Sequence, residues 1–530
     1  MKLYNCCHIL MMFLLVSHTR GDWFTSLGHL EDLLHSEKQL ILALKEYIQA
    51  EEEKLSHINQ IADDLQSLSN DALSDVEHHL GHPVNQYRLI QRLVAEWPQV
   101  ETFVTKDLTE RFVAILSKLS ESFPNEDDAR GSAKAIMRLQ DTYKLETHDI
   151  AEGMIKDSFA NQSLTADDCF FIGRTAYFDK DYYHCALWMN EMLQKRGLDS
   201  FSKVHVLDYL SFCVAKQGDI QRAVKITSEI LKISPSHKRA KRNYDYYTGL
   251  LKTSKPIKVP GKERLQRQTE HDHLPEAERY ERLCRGENVN DQAQVTKNLK
   301  CRYWTNNNHP RLTLQPVKLE ELWHSPQVVR FLDIISDEDI AEIKKIAKPE
   351  LNRAEVTNPE TGRGEKATYR VSKSAWLMDG ESFAVGRLSR RASDLTGLSM
   401  DSAELLQIAN YGIGGHYLPH HDHSTSNEVQ DKFDKKDGNR IATFLAYLSD
   451  VEYGGSTVFI QPGIAARPIK GSAVFWYNLL PSGEGDARTL HAACPVLTGV
   501  KWVANKWIHE RGNEFLRPCG LTPNVDNKIF

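Results

Sequence analysis

The chain has 530 residues, of which 41% are hydrophobic and 26% charged, with a formal net charge of −6. That length allows about three to four domains, and the mild acidity argues against nucleic acid as a partner. The amino terminus is the first informative segment. Lys2 precedes an apolar run over residues 9–16 (ILMMFLLV), followed by polar residues 17–21. A charged start and a short apolar core predict a secretory signal peptide over residues 1–21, too short to span a bilayer. No later stretch reaches about eighteen consecutive apolar residues, so no membrane span is expected.

Residues 22–160 are expected to be helical. Leu27, Leu30, Leu34, Ile41, Leu44, Ile48, Leu55, Ile58, Ala62 and Leu65 follow a 3-4 spacing, broken at two seam positions by Glu37 and Glu51. Such a seam predicts a coiled coil and self-association through the N-terminal helices, the alternative being one amphipathic helix packed on its own domain. Asn161-Gln162-Ser163 is an N-glycosylation sequon.

Residues 161–252 carry a degenerate internal repeat. Cys169, Gly173, Ala176, Cys185 and Met189, and then Leu207, Leu210, Val214, Ala223 and Pro235, fall where tetratricopeptide repeats place small and apolar residues. Gly218-Asp219 supplies a turn between paired helices. Tyr177, Tyr182, Tyr183, Tyr209, Tyr244, Tyr246 and Tyr247 crowd the same stretch. Such rings either form the repeat core or line a face for a polyproline II peptide, whose carbonyls project outward. Arg239 and Asn243, four apart on one helix face, could hold a peptide backbone. Residues 253–283 are charged, proline-containing and aperiodic, and read as a linker.

Residues 284–530 change character. After a helix over residues 337–347, short runs such as RIATFLAYL, GSAVFWYNL and KWVANKWIHE alternate with Gly, Pro and Asn. They predict a jelly roll with its core at about 400–512. The fold class is therefore α+β multidomain: a coiled coil and tetratricopeptide-like repeats, then a double-stranded β-helix.

Seven cysteines follow the signal segment. Cys284 with Cys301, and Cys494 with Cys519, are plausible local pairs, while Cys169, Cys185 and Cys213 lie in helical sequence and read as free or buried.

Chemistry concentrates in residues 411–423, YGIGGHYLPHHDH. His420 and Asp422 are two apart, so an extended strand would put both on one face and His421 and His423 on the other. With His491 they would make a two-histidine, one-carboxylate triad with open positions, the usual holder of oxygen-activating iron(II). A zinc site that uses Cys494, three residues after His491, is the competing reading. Lys501, ten residues after His491, could pair with the distal carboxylate of a dicarboxylic cosubstrate, with Tyr411 as a second donor.

Tyr411, His420-x-Asp422, GNRIAT, GSAVFWYN, SGEGD, TLHAACPVL and NKWIHERG occur in the order seen in the alpha subunit of collagen prolyl 4-hydroxylase, which this chain resembles over nearly its whole length. GHPVNQYRLIQRL and RLQDTYKL extend the resemblance into the helical region. The resemblance implies a procollagen-proline 4-dioxygenase that hydroxylates proline in X-Pro-Gly repeats. 2-Oxoglutarate and O2 would be consumed, with succinate and CO2 released. It implies iron(II) on His420, Asp422 and His491, 2-oxoglutarate anchored by Lys501 with help from Tyr411, and ascorbate as the reductant that rescues iron. Arg440 and His509 would stand near substrate or cosubstrate, with Trp507 as a pocket wall. Tyr177, Tyr209, Arg239, Asn243 and Tyr246 match the peptide groove. Phe212 replaces a tyrosine of the relatives and loses a hydroxyl, and His421 and His423 stand where relatives often carry phenylalanine. The family assembles with protein disulfide isomerase as an α2β2 tetramer. Because the sequence ends DNKIF rather than in a retrieval signal, that partner would retain the chain in the endoplasmic reticulum lumen. The alternatives are hydroxylation of another secreted proline-rich protein, or a non-catalytic peptide-binding adaptor.

Overall fold

The structure is a computed structural model that describes residues 23–195, 199–253, 267, 275–289, 298–357, 364–366, 369–424 and 437–520. The expected signal segment lies outside these residues, as does most of the expected linker. The described residues form two compact units: residues 29–124, and residues 23–28 with everything from 125 onward.

The first unit is built on helix α1 (Leu27–Ser74), which carries the predicted seam. The helices α2 (Val76–Gly81), α3 (Pro83–Gln91), α4 (Trp97–Val104) and α5 (Glu110–Ser120) fold back along it. Tyr47 stacks on Phe112, His57 meets Phe103 edge-on and Arg111 pairs with Glu46 at 2.9 Å. These contacts leave much of the seam uncovered. Leu34, Ile41, Leu44, Ile48 and Leu55 are all exposed.

Residues 22–160, expected as one helical domain, are shared between the two units. Of their helices, α6 (Glu126–Tyr143) belongs to the second unit. A capping box marks its start: Asn125 accepts from the Asp128 N–H, and the Asp128 carboxylate accepts from the Asn125 N–H. Beyond α7 (Thr147–Ala151) come the paired helices α8 (Ala166–Phe178), α9 (Tyr182–Gln194), α10 (Ser200–Lys216) and α11 (Ile220–Ile233), and then α12 (Lys238–Thr253). The small residues act as expected. Gly173 lies so near Met189 that a Cβ there would meet its side chain at 3.1 Å. Cys169, Ala176, Cys185, Met189 and Ala223 are fully buried in one core.

Cys169 is a buried free thiol and Cys185 and Cys213 are buried, as expected, but the two expected local pairs do not form. Cys185 and Cys213 are bonded, tying α9 to α10, and Cys284 is bonded to Cys494. Cys169, Cys301 and Cys519 are thiols, so neither Cys284–Cys301 nor Cys494–Cys519 forms. The tail of the expected linker is also structured. Residues 277–284 form α13 (Ala277–Cys284), whose Tyr280, Leu283 and Cys284 pack against Leu418, Val458 and Ala492 of the C-terminal domain.

That domain is a double-stranded β-helix flanked by the short α14 (Pro310–Leu314), by α15 (Asp337–Ala347), which matches the predicted helix, and by α16 (Phe383–Thr396). The strands that build it are β1 (Cys301–Trp304), β2 (Val317–His324), β3 (Gln327–Leu332), β4 (Asn352–Arg353), β5 (Lys373–Leu377), β6 (Leu406–Tyr411), β7 (Tyr417–His420), β8 (Arg440–Tyr447), β9 (Thr457–Phe459), β10 (Ile464–Ala466), β11 (Ala473–Tyr477), β12 (His491–Ala493) and β13 (Lys501–His509). The major sheet runs β1-β2-β3-β11-β8-β13-β6-β5-β4, and the minor sheet β7-β12-β9-β10. Alternation sorts the faces. Ile408, Phe444, Ala504 and Ile508 pack toward α15 and α16, while Tyr411, Leu445, Trp476 and Val503 point into the space between the sheets.

Residues 23–28 dock on β6. Thr25 and Ser26 are fully buried. Ser26 Oγ donates to Asn410 Oδ1 at 2.6 Å, the Gly28 N–H donates to the same oxygen at 3.0 Å, and the Ile413 N–H donates to the Phe24 carbonyl at 3.0 Å. Glycine is required at 412, where a Cβ would lie 1.9 Å from the Phe24 carbonyl oxygen.

Candidate active site

His420 and His491 are directly paired across β7 and β12. His420 ends its strand, and Asp422 sits in the bend beyond it. Strand alternation therefore singles out the right pair but is not what positions the carboxylate. Asp422 is held instead by the Thr443 hydroxyl, which donates to Oδ2 at 2.7 Å and itself accepts from Asn478 Nδ2 at 2.9 Å. His491 Nε2 lies 3.5 Å from Asp422 Oδ2 and His420 Nε2 lies 3.8 Å from Oδ1. The other ring nitrogens face backbone carbonyls: His420 Nδ1 meets Leu418 O at 2.7 Å, and His491 Nδ1 meets Thr489 O at 3.0 Å. Those bonds fix the proton on Nδ1 and turn the Nε2 lone pairs toward Asp422. Tyr417 stacks on His420 at 3.5 Å, and Trp476 meets His491 edge-on at 4.9 Å, so neither ring is free to turn.

The electrostatics suit a cation. Burial, then the neighbouring His491, pushes His420 down and keeps it neutral. Burial pushes Asp422 up, but His491, His420 and Arg440 outweigh it and hold the carboxyl below the usual range. Three ligand atoms lie within 4.8 Å of one another and come from two imidazoles and one carboxylate, the donor set of a facial triad with open positions. The zinc reading loses its fourth ligand, because Cys494 is spent in the bond to Cys284. His421 and His423 are not part of the cluster. Their rings meet each other at 4.8 Å, with His423 packed on Gly485.

Lys501 pairs with Tyr411 across β13 and β6. Its side chain is buried, its Nζ has no hydrogen-bond partner among the described residues, and it lies 4.7 Å from the centre of the Tyr411 ring. Burial alone brings its pKa down to about 7. An unsatisfied buried ammonium is costly unless a ligand anion completes it. Lys501, Tyr411, Trp507 and the triad line one cavity. Burial pushes the Tyr411 hydroxyl up to about 12, so it stays protonated and can donate. Arg370, which the sequence reading missed, reaches this cavity too. It donates to Gln407 Oε1 at 2.9 Å and lies over the Tyr417 ring at 4.9 Å.

Arg440 and His509, expected near substrate or cosubstrate, cluster with Glu404 against Trp507, a wall of the cavity. A bulge in β8 opposite β13 shifts the register between Arg440 and Ala442 and re-aims the Arg440 side chain. Its guanidinium pairs with Glu404, lies 4.1 Å from the Trp507 ring centre and donates to the Asp422 carbonyl at 3.3 Å. His509 Nε2 meets Glu404 at 3.1 Å, and its Nδ1 meets the Gly438 carbonyl at 2.5 Å. Arg440 thus braces the turn that carries Asp422, and His509 holds the Glu404 that pairs with Arg440. Glu404, Thr443 and Asn478 were also missed; each acts through a partner, and although Thr443 ends GNRIAT and Asn478 ends GSAVFWYN, neither segment singles it out.

In the repeat region Tyr177 meets Tyr209 edge-on at 4.9 Å and Phe212 at 5.5 Å, and all three rings are half-buried. Arg239 donates to the Tyr177 hydroxyl at 3.4 Å, pairs with Asp208 at 3.2 Å and lies 5.7 Å from the Phe212 ring centre. Phe212 thus keeps its place in the cluster without the hydroxyl. Asn243 Nδ2 is buried with no partner, a donor left for a carbonyl. Tyr246 is 63% exposed and meets Tyr247 rather than the cluster.

Comparison with known proteins gives three family models in chain order. The N-terminal region of the prolyl 4-hydroxylase alpha-subunit matches residues 26–157. The prolyl 4-hydroxylase peptide-substrate-binding domain matches residues 166–253, and the 2OG-Fe(II) oxygenase superfamily matches residues 406–509. The chain is 47% identical to prolyl 4-hydroxylase subunit alpha-1 of Gallus gallus over 94% of its own length and 99% of the relative. It is 47% identical to subunit alpha-2 of Gallus gallus, covering 98% and 99%, and 46% identical to subunit alpha-1 of Homo sapiens, covering 94% and 96%.

Proposed function

The chain belongs to the prolyl 4-hydroxylase alpha-subunit family, and we propose that its substrate is procollagen, hydroxylated on proline in X-Pro-Gly repeats. It is a prolyl 4-hydroxylase that depends on iron(II), 2-oxoglutarate and O2. Bound iron and 2-oxoglutarate supply the oxidising chemistry, in which cosubstrate and O2 are converted to succinate and CO2 as proline gains its hydroxyl.

The protein's part is to hold and to exclude. His420, Asp422 and His491 would hold the metal, with Thr443 and two backbone carbonyls fixing their orientation. The Lys501 ammonium would receive the far carboxylate of 2-oxoglutarate, with the Tyr411 hydroxyl as a second donor. Arg440 braces Asp422 from behind, His509 holds the Glu404 that pairs with Arg440, and Trp507 walls the cavity against water. Ascorbate would restore iron oxidised in turnovers without substrate. Upstream, the ring cluster of Tyr177, Tyr209 and Phe212, with Arg239 and Asn243, suits an extended proline-rich chain, and Tyr246 would widen that surface.

Protein disulfide isomerase would be the partner, in an α2β2 tetramer with self-association through α1. The site of action would be the endoplasmic reticulum lumen, reached through the signal-like start and kept by the partner. Asn161 is exposed and would accept a glycan there. Among the described residues no helix is long and apolar enough to cross a membrane.

The observation that carries this reading is the shared cavity: a two-histidine, one-carboxylate cluster and a buried lysine, unpartnered among the described residues, face the same space. The test is succinate release from the chain co-expressed with protein disulfide isomerase, given iron(II), 2-oxoglutarate and a Pro-Pro-Gly repeat peptide. Wild type should turn over and His420→Ala should lose activity by at least about a thousandfold, since the metal site itself is gone. Absence of turnover in a properly assembled complex would refute it.

A further inference from the structure

The inner face of the major sheet does not end at the cavity. Successive pairs Leu445↔Asn505, Asn505↔Gln407 and Gln407↔Trp376 set one row across β8, β13, β6 and β5. Leu445 and Asn505 line the cavity, and Asn505 Nδ2 donates to Gln407 Oε1 at 3.3 Å, so the face is continuous. The row then surfaces. Trp376 is 44% exposed, and its ring centre lies 6.0 Å from that of Trp507, the cavity wall. Met378, just past the end of β5, is 55% exposed, and Leu405, just before β6, is 46% exposed. Three large apolar side chains in one exposed strip, joined to a ligand cavity, mark an extension of its binding surface.

We propose that Trp376, flanked by Met378 and Leu405, is a specificity-determining subsite that takes a proline of the triplet next to the one being hydroxylated. The spacing selects this occupant. The Trp507 and Trp376 ring centres lie 6.0 Å apart. A polyproline II chain rises about 3.1 Å per residue, so two residues span about 6 Å. When the proline that precedes glycine lies against Trp507, the residue two further on, the first proline of the following triplet, lies over Trp376, and an indole face packs well on a pyrrolidine ring. The subsite rests on the reading of the substrate as an X-Pro-Gly repeat. It gives that reading a register: the catalytic domain reads two triplets at once, apart from the distant repeat-domain groove.

The test compares wild type, Trp376→Ala and Trp376→Phe, each as the full chain assembled with its partner subunit. The substrates are capped peptides of one and of three Pro-Pro-Gly triplets. Trp376→Ala should lower kcat/KM on the three-triplet peptide five- to tenfold, mainly through KM. It should leave the one-triplet peptide within twofold, and Trp376→Phe should recover most of the loss. Equal losses on both peptides would show a structural role and overturn the subsite. So would unchanged kinetics, including the case in which Trp376→Ala co-purifies less partner, which would make the strip a subunit contact. If wild type itself turns over neither peptide, the repeat-substrate reading falls and takes the subsite with it.

Discussion

The Lys501 ammonium is buried between two sheets without a hydrogen-bond partner among the described residues, and its pKa falls to about 7. The folded-state value is below the unfolded one of about 10.4. As pH falls from about 10 to 7 the unfolded chain takes up a proton that the folded chain refuses, so this group lowers stability through that window and the loss levels off below about 7. Lys501→Met removes the unsatisfied donor. It should raise unfolding stability at pH 7 by about 1–3 kcal/mol while abolishing thermal stabilisation by 2-oxoglutarate, both read from melts with and without the cosubstrate. In wild type the carboxylate needs the charged amine, so 2-oxoglutarate affinity should weaken roughly tenfold per pH unit above about 7; a flat profile would contradict this. At this scale the sequence exposes the chemical actors and hides their supports. His420, Asp422, His491 and Lys501 are legible by residue type and spacing. Thr443, Asn478 and Glu404 are not, because an ordinary polar residue becomes functional only through the partner the fold hands it.

Among elements, the Cys284–Cys494 bond joins α13 to the residues just after β12, three positions from His491. Cys494 also donates its N–H to Ser456 at 2.9 Å, so the cross-link anchors a strand that carries a metal ligand. Cys494→Ser opens a loop with a sequence separation of 210. It should cost about 2–5 kcal/mol, read from urea melts under oxidising conditions, and non-reducing peptide maps of wild type should recover the 284–494 pair. A reading by nearness chose Cys301 instead, because closing a short loop costs less entropy. That preference is weak: stretching the loop from 17 to 210 residues adds only roughly 2 kcal/mol, which packing of Tyr280 and Leu283 readily exceeds. Helix α15 was legible because Ser336 caps it and acidic residues fill its first turn. The β8 bulge was not, since register depends on the partner strand.

On the scale of the whole molecule, α1 presents Leu34 at 65% and Leu55 at 58% exposure along a seam of mostly apolar residues. A 48-residue helix with that stripe bare calls for a second helix. Leu34→Glu with Leu55→Glu should reduce the sedimenting mass of the assembled enzyme by half while leaving its turnover per site within about twofold. An unchanged mass would exclude the seam as the contact. The seam was visible in sequence because a 3.5-residue period needs no tertiary knowledge. The division after Pro124 was not, because both sides are helical and only their packing partners differ. The docking of residues 23–28 on Asn410 couples an early and a late segment of the chain in time as well as in space. Ser26 emerges first, and the side chain it bonds is added 384 residues later. At about 5–20 residues per second, the earliest part of the chain waits on the order of 20–80 s for its binding site. The same Asn410 donates to the Lys501 carbonyl at 3.2 Å. One side chain thus joins residues 23–28 to the cosubstrate strand, and that strand gains this neighbour only when a segment made early returns to one made late.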